Sequence, residues 1–94
     1  MMTAELFPVG RLLATPGALA AFERHPSVGV WDYLRRHITG DWGNLEPADV
    51  AENELSLQQG FRLLSAYNLP DDTRIWIITE ADRSATTVLL PDEY

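Results

Sequence analysis

The sequence predicts an α+β fold, in which two to three N-terminal helices pack on a C-terminal three-stranded antiparallel meander. Apolar residues recur at helical spacing before Gly60, β-branched and aromatic residues dominate after it, and short turn-forming segments separate the later apolar runs. Strands that are close in sequence usually pair as antiparallel neighbours, so helices followed by strands indicate this class.

Helical patterns occur in three segments. In "ATPGALAAFERH", Thr15 can cap the N-terminus and Pro16 suits the first helical position. In "HPSVGVWDYLRRHITG", Ser27 is the expected cap. The apolar residues of this second helix fall on one stripe and are Val28, Trp31, Leu34 and Ile38. The third segment, "EPADVAENELSLQQG", should begin near Pro47 and end at Gly60, with a thin apolar face that favours the surface.

Strand-like runs follow in "FRLLSAY", "RIWIIT" and "ATTVLL", joined by the turns "NLPDDT" and "EADRS". Near the N-terminus, Pro8 and Gly10 make "LFPVGRLLA" more suitable for an extended arm or an edge strand than for a helix. The chain has no internal repeat or linker. A single domain over residues 1–94 is therefore predicted.

Composition narrows the functional classes. The net charge is −7, lysine is absent and all seven basic residues are arginines, so coating of DNA or RNA is not expected. The absence of cysteine excludes disulfides and thiolate metal sites, and two histidines are too few for a histidine-rich zinc site without carboxylates. Asp32, His37 and Asp41 show no established ligand spacing, so no metal or cofactor is predicted. The longest apolar-leaning run, residues 12–22, is too short and too interrupted to span a bilayer. With no basic cluster at the start of the chain, a cytoplasmic location is predicted.

Polar residues are unusually frequent in "IWIITEADRSATTVLLP". An ordinary hairpin tip explains Asp82 as a turn residue and Glu80 with Arg83 as an exposed pair. It does not explain Thr79, Thr86 and Thr87, although threonine is also a common strand residue. The tip is therefore either plain turn structure or part of a site.

The loop "RHITGDWGN" is a second candidate. Gly40 and Gly43 flank Asp41 and Trp42, an arrangement that could present these side chains together with His37. The alternative is a helix stop and a turn, with Trp42 folded onto the core and a solvated histidine. Both interpretations are open at the level of sequence. No G-x-S-x-G, P-loop or metalloprotease motif occurs anywhere in the chain.

The segments "TPGAL", "HITGDWGNL", "RLLSAY" and "IWIITEADRSATTVLLPDEY" resemble a family of small bacterial proteins carried on plasmids and other mobile elements. Its members are labelled plasmid-related proteins or type I restriction enzyme subunits, and the resemblance covers residues 6–94. It implies a mobile-element setting. A chain of this length has neither a methyltransferase fold nor its cofactor-binding glycines, so the restriction label cannot be literal.

Two hypotheses from different classes follow. The first is an acidic accessory protein of a mobile element that binds a host protein, as an anti-defence inhibitor of a nucleic-acid-binding system. Its predicted contact residues are Asp41, Trp42, Asn44, Thr79, Glu80, Asp82, Arg83 and Thr86.

The alternative is a small metal-independent ribonuclease, because helices followed by an antiparallel meander is also the order in barnase- and RelE-like folds. Its candidate catalytic residues are His37, Arg62, Glu80 and Arg83. Whether the chain is an enzyme is open at this stage. The oligomeric state is open too, since an edge strand near Leu12 or Val88 could support a dimer.

Overall fold

The computed structural model of the protein describes residues 5–94, and residues 1–4 of the predicted domain lie outside this range. Within it, the elements in chain order are β1 (Arg11–Ala14), α1 (Pro16–Glu23), α2 (Val30–Ile38), α3 (Pro47–Gln59), β2 (Leu63–Asn68), β3 (Arg74–Thr79), β4 (Ala85–Leu89) and a final 3₁₀ turn (Pro91–Glu93). The predicted α+β class is confirmed. No described helix combines the length and the apolar character that a membrane crossing requires.

The sheet corrects the prediction of a three-stranded antiparallel meander. Strands β2, β3 and β4 do form antiparallel neighbours, but β1 adds a fourth strand in the order β1-β4-β3-β2 and makes the sheet mixed. β1 runs parallel to β4, with Arg11 opposite Ala85 and Ala14 opposite Val88. Parallel neighbours need a long crossover. The crossover from β1 to β4 consists of most of the chain, so no local turn signal in the sequence predicts the pairing of these two strands.

The ends of α1 and α3 follow from local sequence signals. The Thr15 hydroxyl accepts a hydrogen bond from the Ala18 N–H at 3.2 Å, and Pro16 occupies the first turn. At the other end of the helical region, Gly60 terminates α3 with φ 78°. Glycine adopts this left-handed conformation without the steric cost that a side chain would add.

Helix α2 differs from its prediction in its start and in its buried face. Its cap is Gly29 rather than Ser27, and the Asp32 carboxylate accepts from the Gly29 N–H at 2.8 Å. Trp31, expected on the apolar stripe, is 60% exposed. The buried residues of the helix are Tyr33, Leu34 and His37. Tyr33 turns inward because it packs on Tyr67, with 5.5 Å between the ring centroids.

The hydrophobic residues form two clusters. The larger one lies between α1, α2 and the sheet and contains Ala18, Ala21, Tyr33, Leu34, Tyr67, Leu69, Ile75, Ile77 and Val88. The smaller one contains Phe7, Trp42 and Leu63, with Val50 and Leu57 of α3 packed against it. Helix α3 therefore lies along the β2 side of the sheet, at the end opposite β1.

Candidate functional site

A chain of buried polar side chains crosses the helix-covered face of the sheet. His37 Nδ1 is 2.6 Å from the Ser65 hydroxyl and His37 Nε2 is 2.9 Å from the Thr79 hydroxyl. Thr79 is 2.7 Å from the Thr86 hydroxyl, which donates to the Val9 carbonyl at 2.8 Å. This buried chain connects α2 to three strands and to the segment before β1.

The last group of the buried chain, the Val9 carbonyl, fixes the direction of these hydrogen bonds. The Val9 carbonyl can only accept, so the proton of Thr86 is used there and Thr79 must donate to Thr86. Thr79 then accepts from His37 Nε2–H, and the bare Nδ1 accepts from Ser65. His37 is therefore the neutral Nε2–H tautomer.

Burial keeps this imidazole uncharged. The His37 side chain has no solvent-exposed surface, and desolvation lowers its pKa to about 3. A general base must reach the proton that it removes from a substrate. In this position His37 acts as a structural hydrogen-bonding group that joins α2 to the sheet.

Aromatic rings surround His37 and connect the "GDWGN" loop to the hairpin. The Trp42 and Phe7 rings contact the imidazole edge-on, at 5.8 and 5.2 Å between centroids, and stack on each other at 6.3 Å. The Arg83 guanidinium lies 5.8 Å from the centre of the Phe7 ring. Trp42 is 4% exposed, as the core interpretation of the loop expected, whereas His37 is not the solvated residue of that interpretation.

Arg83 is the centre of a separate network. Its guanidinium donates to the carbonyls of Phe61 at 2.6 Å and of Ser56, Glu80 and Ala81 at 3.1 Å each. These carbonyls belong to the C-terminal end of α3, the start of the β2 segment and the hairpin tip. A cation is favourable at the carbonyl end of a helix. Through these hydrogen bonds the half-buried Arg83 ties the hairpin to α3.

The polar residues of the "GDWGN" loop face other neighbours. The Asp41 carboxylate forms an exposed ion pair with Arg36 at 2.7 Å, and this hydrogen bond lowers the pKa of Asp41. The Asp41 carbonyl accepts from the Tyr67 hydroxyl at 2.6 Å, and the Asn44 carbonyl accepts from Arg74 at 2.8 Å.

The other predicted site residues lie at the hairpin and on the uncovered face of the sheet. Asp82 accepts from the Ser84 N–H at 2.9 Å, a turn-forming contact. Arg62 and Glu80 line one shallow depression of about 340 Å³, where the Arg62 guanidinium bonds the Tyr94 hydroxyl. The four candidate catalytic residues are thus divided between a buried chain, a carbonyl-binding network and this depression.

A concavity lies between α3, the start of β2 and the hairpin. This α3 groove has a volume of about 500 Å³ and is lined by Leu45, Asp49, Glu52, Asn53, Leu55, Ser56, Phe61, Arg62, Leu64 and Ala81. Leu55 and Phe61 are half exposed, and Asp49 and Glu52 carry its negative charge. Helix α3 itself contains no lysine or arginine.

Asn53 forms the floor of the groove. Its side-chain amide donates to the Leu64 carbonyl at 2.6 Å and accepts from the Leu64 N–H at 3.1 Å, so α3 completes the outer edge of β2. Most α3 groove residues were missed by the sequence-based prediction. The only signal for them was an acidic helix with a thin apolar face, followed directly by the exposed Phe61.

Comparisons of the chain with protein-family models, with curated proteins and with solved structures find no match. The resemblance to plasmid-related proteins therefore stays a prediction. Among residues 5–94, no group of three or more histidine or acidic side chains could hold a metal ion.

Proposed function

We propose that the protein is a protein-binding module of a mobile genetic element, and that it docks on the basic surface of a host defence protein that binds nucleic acid. The α3 groove is the observation that carries this proposal. It combines exposed apolar side chains with two carboxylates, which outnumber its one basic side chain, Arg62. This combination suits a segment in which arginine or lysine flanks an apolar residue.

Apolar anchoring is supported by Phe61 and Leu55, which are 54% and 50% exposed on the groove. Apolar side chains of this size stabilise a complex in proportion to the apolar area that the partner covers. Leu64 and Leu45 extend the apolar surface behind them.

Charge supports a basic partner. The net charge of −7 favours fast association with a positive surface, and α3 presents Asp49, Glu52 and Glu54 without a basic residue between them. Glu54 accepts a hydrogen bond from the Trp42 indole at 3.1 Å, which leaves Asp49 and Glu52 as the groove carboxylates.

The ribonuclease alternative has less support. It requires a base, an acid and a phosphate-binding arginine around one substrate position. His37 is buried and neutral, and Arg83 donates to four carbonyl oxygens. The alternative remains a prediction. Cleavage of RNA by the purified wild-type protein, lost in an Arg62→Ala variant, would support it.

The proposal is tested by plasmid transfer and by binding. Unmodified plasmid DNA should enter restriction-proficient cells more efficiently when this protein is produced, with no gain in restriction-deficient cells. Purified defence proteins should bind the immobilised protein, and competing DNA or raised salt should release them.

Single substitutions test whether the α3 groove is the binding surface. Glu52→Lys and Phe61→Ser should each weaken binding by about 10-fold, since one reverses a groove charge and the other removes an apolar anchor. Glu23→Lys at the end of α1 changes the net charge equally but lies outside the groove, so it should bind nearly as wild type. Equal effects of Glu52→Lys and Glu23→Lys, or no protection of plasmid transfer, would contradict the proposal.

A further inference from the structure

Strand β1 forms an edge of the sheet, and all four of its residues are exposed. The N–H groups of Arg11 and Thr15 donate to the carbonyls of Ser84 and Val88 at 2.9 and 3.0 Å. The backbone N–H and C=O groups of the odd-numbered residues therefore point toward β4. Because the peptide groups alternate along a strand, the N–H and C=O groups of Leu12 and Ala14 point outward. Within residues 5–94, no further strand pairs with them.

This edge has little of the protection that usually prevents pairing, because Arg11 is the only charged residue of β1 and no proline lies within the strand. Natural edge strands are commonly protected by charges, prolines or bulges. Here the exposed residues include Leu12 and Leu13, at 42% and 43% exposure, and α2 places Trp31 beside them at 60% exposure. An apolar concavity of about 170 Å³ beside the strand is lined by Leu12, Leu13, Val30 and Trp31.

From these features we infer that β1 pairs with β1 of a second copy of this chain, antiparallel, around a twofold axis at Leu13. The extended segment runs from Arg11 to Thr15, because Gly10 has φ 65° and Pro16 begins α1. Leu13 is the midpoint of that segment. Leu12 of each copy then faces Ala14 of the other, and their outward N–H and C=O groups bond reciprocally.

Charge complementarity selects a second copy as the occupant. In this register, Arg11 lies opposite Thr15 of the second copy, with both side chains on the sheet face away from α2. Thr15 donates to the Glu93 carboxylate at 2.5 Å, so a carboxylate stands where Arg11 of the other copy arrives. Among residues 5–94, Arg11 has no acidic partner within its own chain.

The carboxylates of α3 contribute little repulsion in this arrangement. The carboxylates of α3 lie along β2, at the opposite edge of the sheet, and the β1 edge carries Arg11. Leu12, Leu13 and Trp31 supply the apolar burial that pairing needs, since backbone hydrogen bonds exchanged with water add little. The dimer leaves the α3 groove free, so it is independent of the proposed function.

A disulfide trap tests the register. The chain contains no cysteine, and Leu13 at the axis would lie about 4.5 Å from its symmetry mate between Cα atoms, within the range of a disulfide. Leu13→Cys should therefore form a covalent dimer under mild oxidation. Leu12→Cys, equally exposed on the same strand but opposite Ala14, should do so far more slowly.

Sedimentation velocity tests the association itself. The wild-type protein should show a concentration-dependent monomer–dimer equilibrium, and Leu13→Lys should weaken it by about 100-fold, because two ammonium groups then meet at the axis in place of leucines. Leu55→Lys, an equally exposed leucine on α3, should dimerise as wild type. Arg11→Glu should weaken the dimer by about 10-fold, since a carboxylate would then face Glu93.

A monomer at every concentration overturns the proposal, and it is the result expected if a strand of a different protein occupies this edge. A dimer that Leu13→Lys leaves intact overturns it as well. So does equal cross-linking of the Leu12→Cys and Leu13→Cys variants.

Discussion

The sheet ends in two different ways. At the β2 edge, Asn53 binds both the N–H and the C=O of Leu64, and the "GDWGN" loop binds both backbone groups of Ala66. At the β1 edge, the equivalent groups of Leu12 and Ala14 have no pairing strand within residues 5–94. An unpaired edge is a template for another strand. One end of the sheet is thus completed within the chain, and the other is suited to a second molecule.

The difference reflects what each edge borders. The β2 edge is covered by α3 and by Trp42, which is 4% exposed, so unsatisfied backbone groups there would be costly. The β1 edge faces solvent, where water satisfies the same groups. Only apolar side chains such as Leu13 then make pairing favourable.

The largest effect is expected in the buried chain that runs from β2 to β4 through His37. The pKa of this histidine is about 3 in the folded protein and 6.5 ordinarily, so between these values the unfolded chain binds a proton that the folded chain does not. The stability that depends on keeping His37 neutral is therefore fully present above pH 6.5. It falls by about 1.4 kcal/mol per pH unit on acidification, to a loss of about 5 kcal/mol at pH 3.

Urea unfolding between pH 6.5 and 5 measures this slope before most carboxylates titrate. A His25→Gln variant should retain the slope, and the imidazole NMR signals of His37 should stay those of the neutral ring down to pH 5. If those signals titrate near pH 6.5, the buried chain does not hold a neutral histidine.

The next effect concerns the loop that completes the β2 edge. Gly43 has φ 76°, and an added Cβ would lie 2.0 Å from the Ala66 carbonyl oxygen. Gly43→Ala should therefore lower the free energy of unfolding by about 3 kcal/mol, through a clash together with backbone strain. Gly60→Ala is the matched control, because its φ is 78° with nothing within 4 Å, and it should cost only about 1 kcal/mol. Equal losses in urea unfolding would mean that the loop can move away from β2.

A smaller effect is expected from the side chain that completes the same edge. Asn53→Ala should cost about 2 kcal/mol, because it leaves the N–H and C=O of Leu64 without partners under α3. Asn68→Ala, at the exposed end of β2, should change stability by no more than about 0.5 kcal/mol. Thermal or urea unfolding distinguishes the two. A neutral Asn53→Ala would show that water can replace the amide.

Local signals in the sequence predicted the elements that depend on local chemistry. Thr15 and Pro16 mark the start of α1, Gly60 marks the end of α3, and the β-branched runs became β2 to β4. The pairing of β1 could not be predicted, because its partner β4 lies at the other end of the chain and only the folded sheet brings them together.

The candidate sites also depend partly on local sequence and partly on residues that only the fold brings together. The polar excess of the hairpin is partly explained by Thr79 and Thr86, which belong to the buried chain of His37. The partners Ser65 and Thr79 lie 28 and 42 positions from His37, beyond any motif spacing. A histidine that reads as a surface residue of an amphipathic helix is therefore a core residue in the folded protein.

Amide hydrogen exchange of individual residues compares the two edges most directly. The Leu64 and Ala66 amides should exchange slowly at every protein concentration, since their partners belong to the same chain. The Leu12 and Ala14 amides should exchange quickly in dilute solution and more slowly as the concentration rises and β1 edges pair. Strong protection of Leu12 and Ala14 in dilute solution, equal to that of Ala66, would contradict the account, because the β1 edge would then already be completed within the single chain.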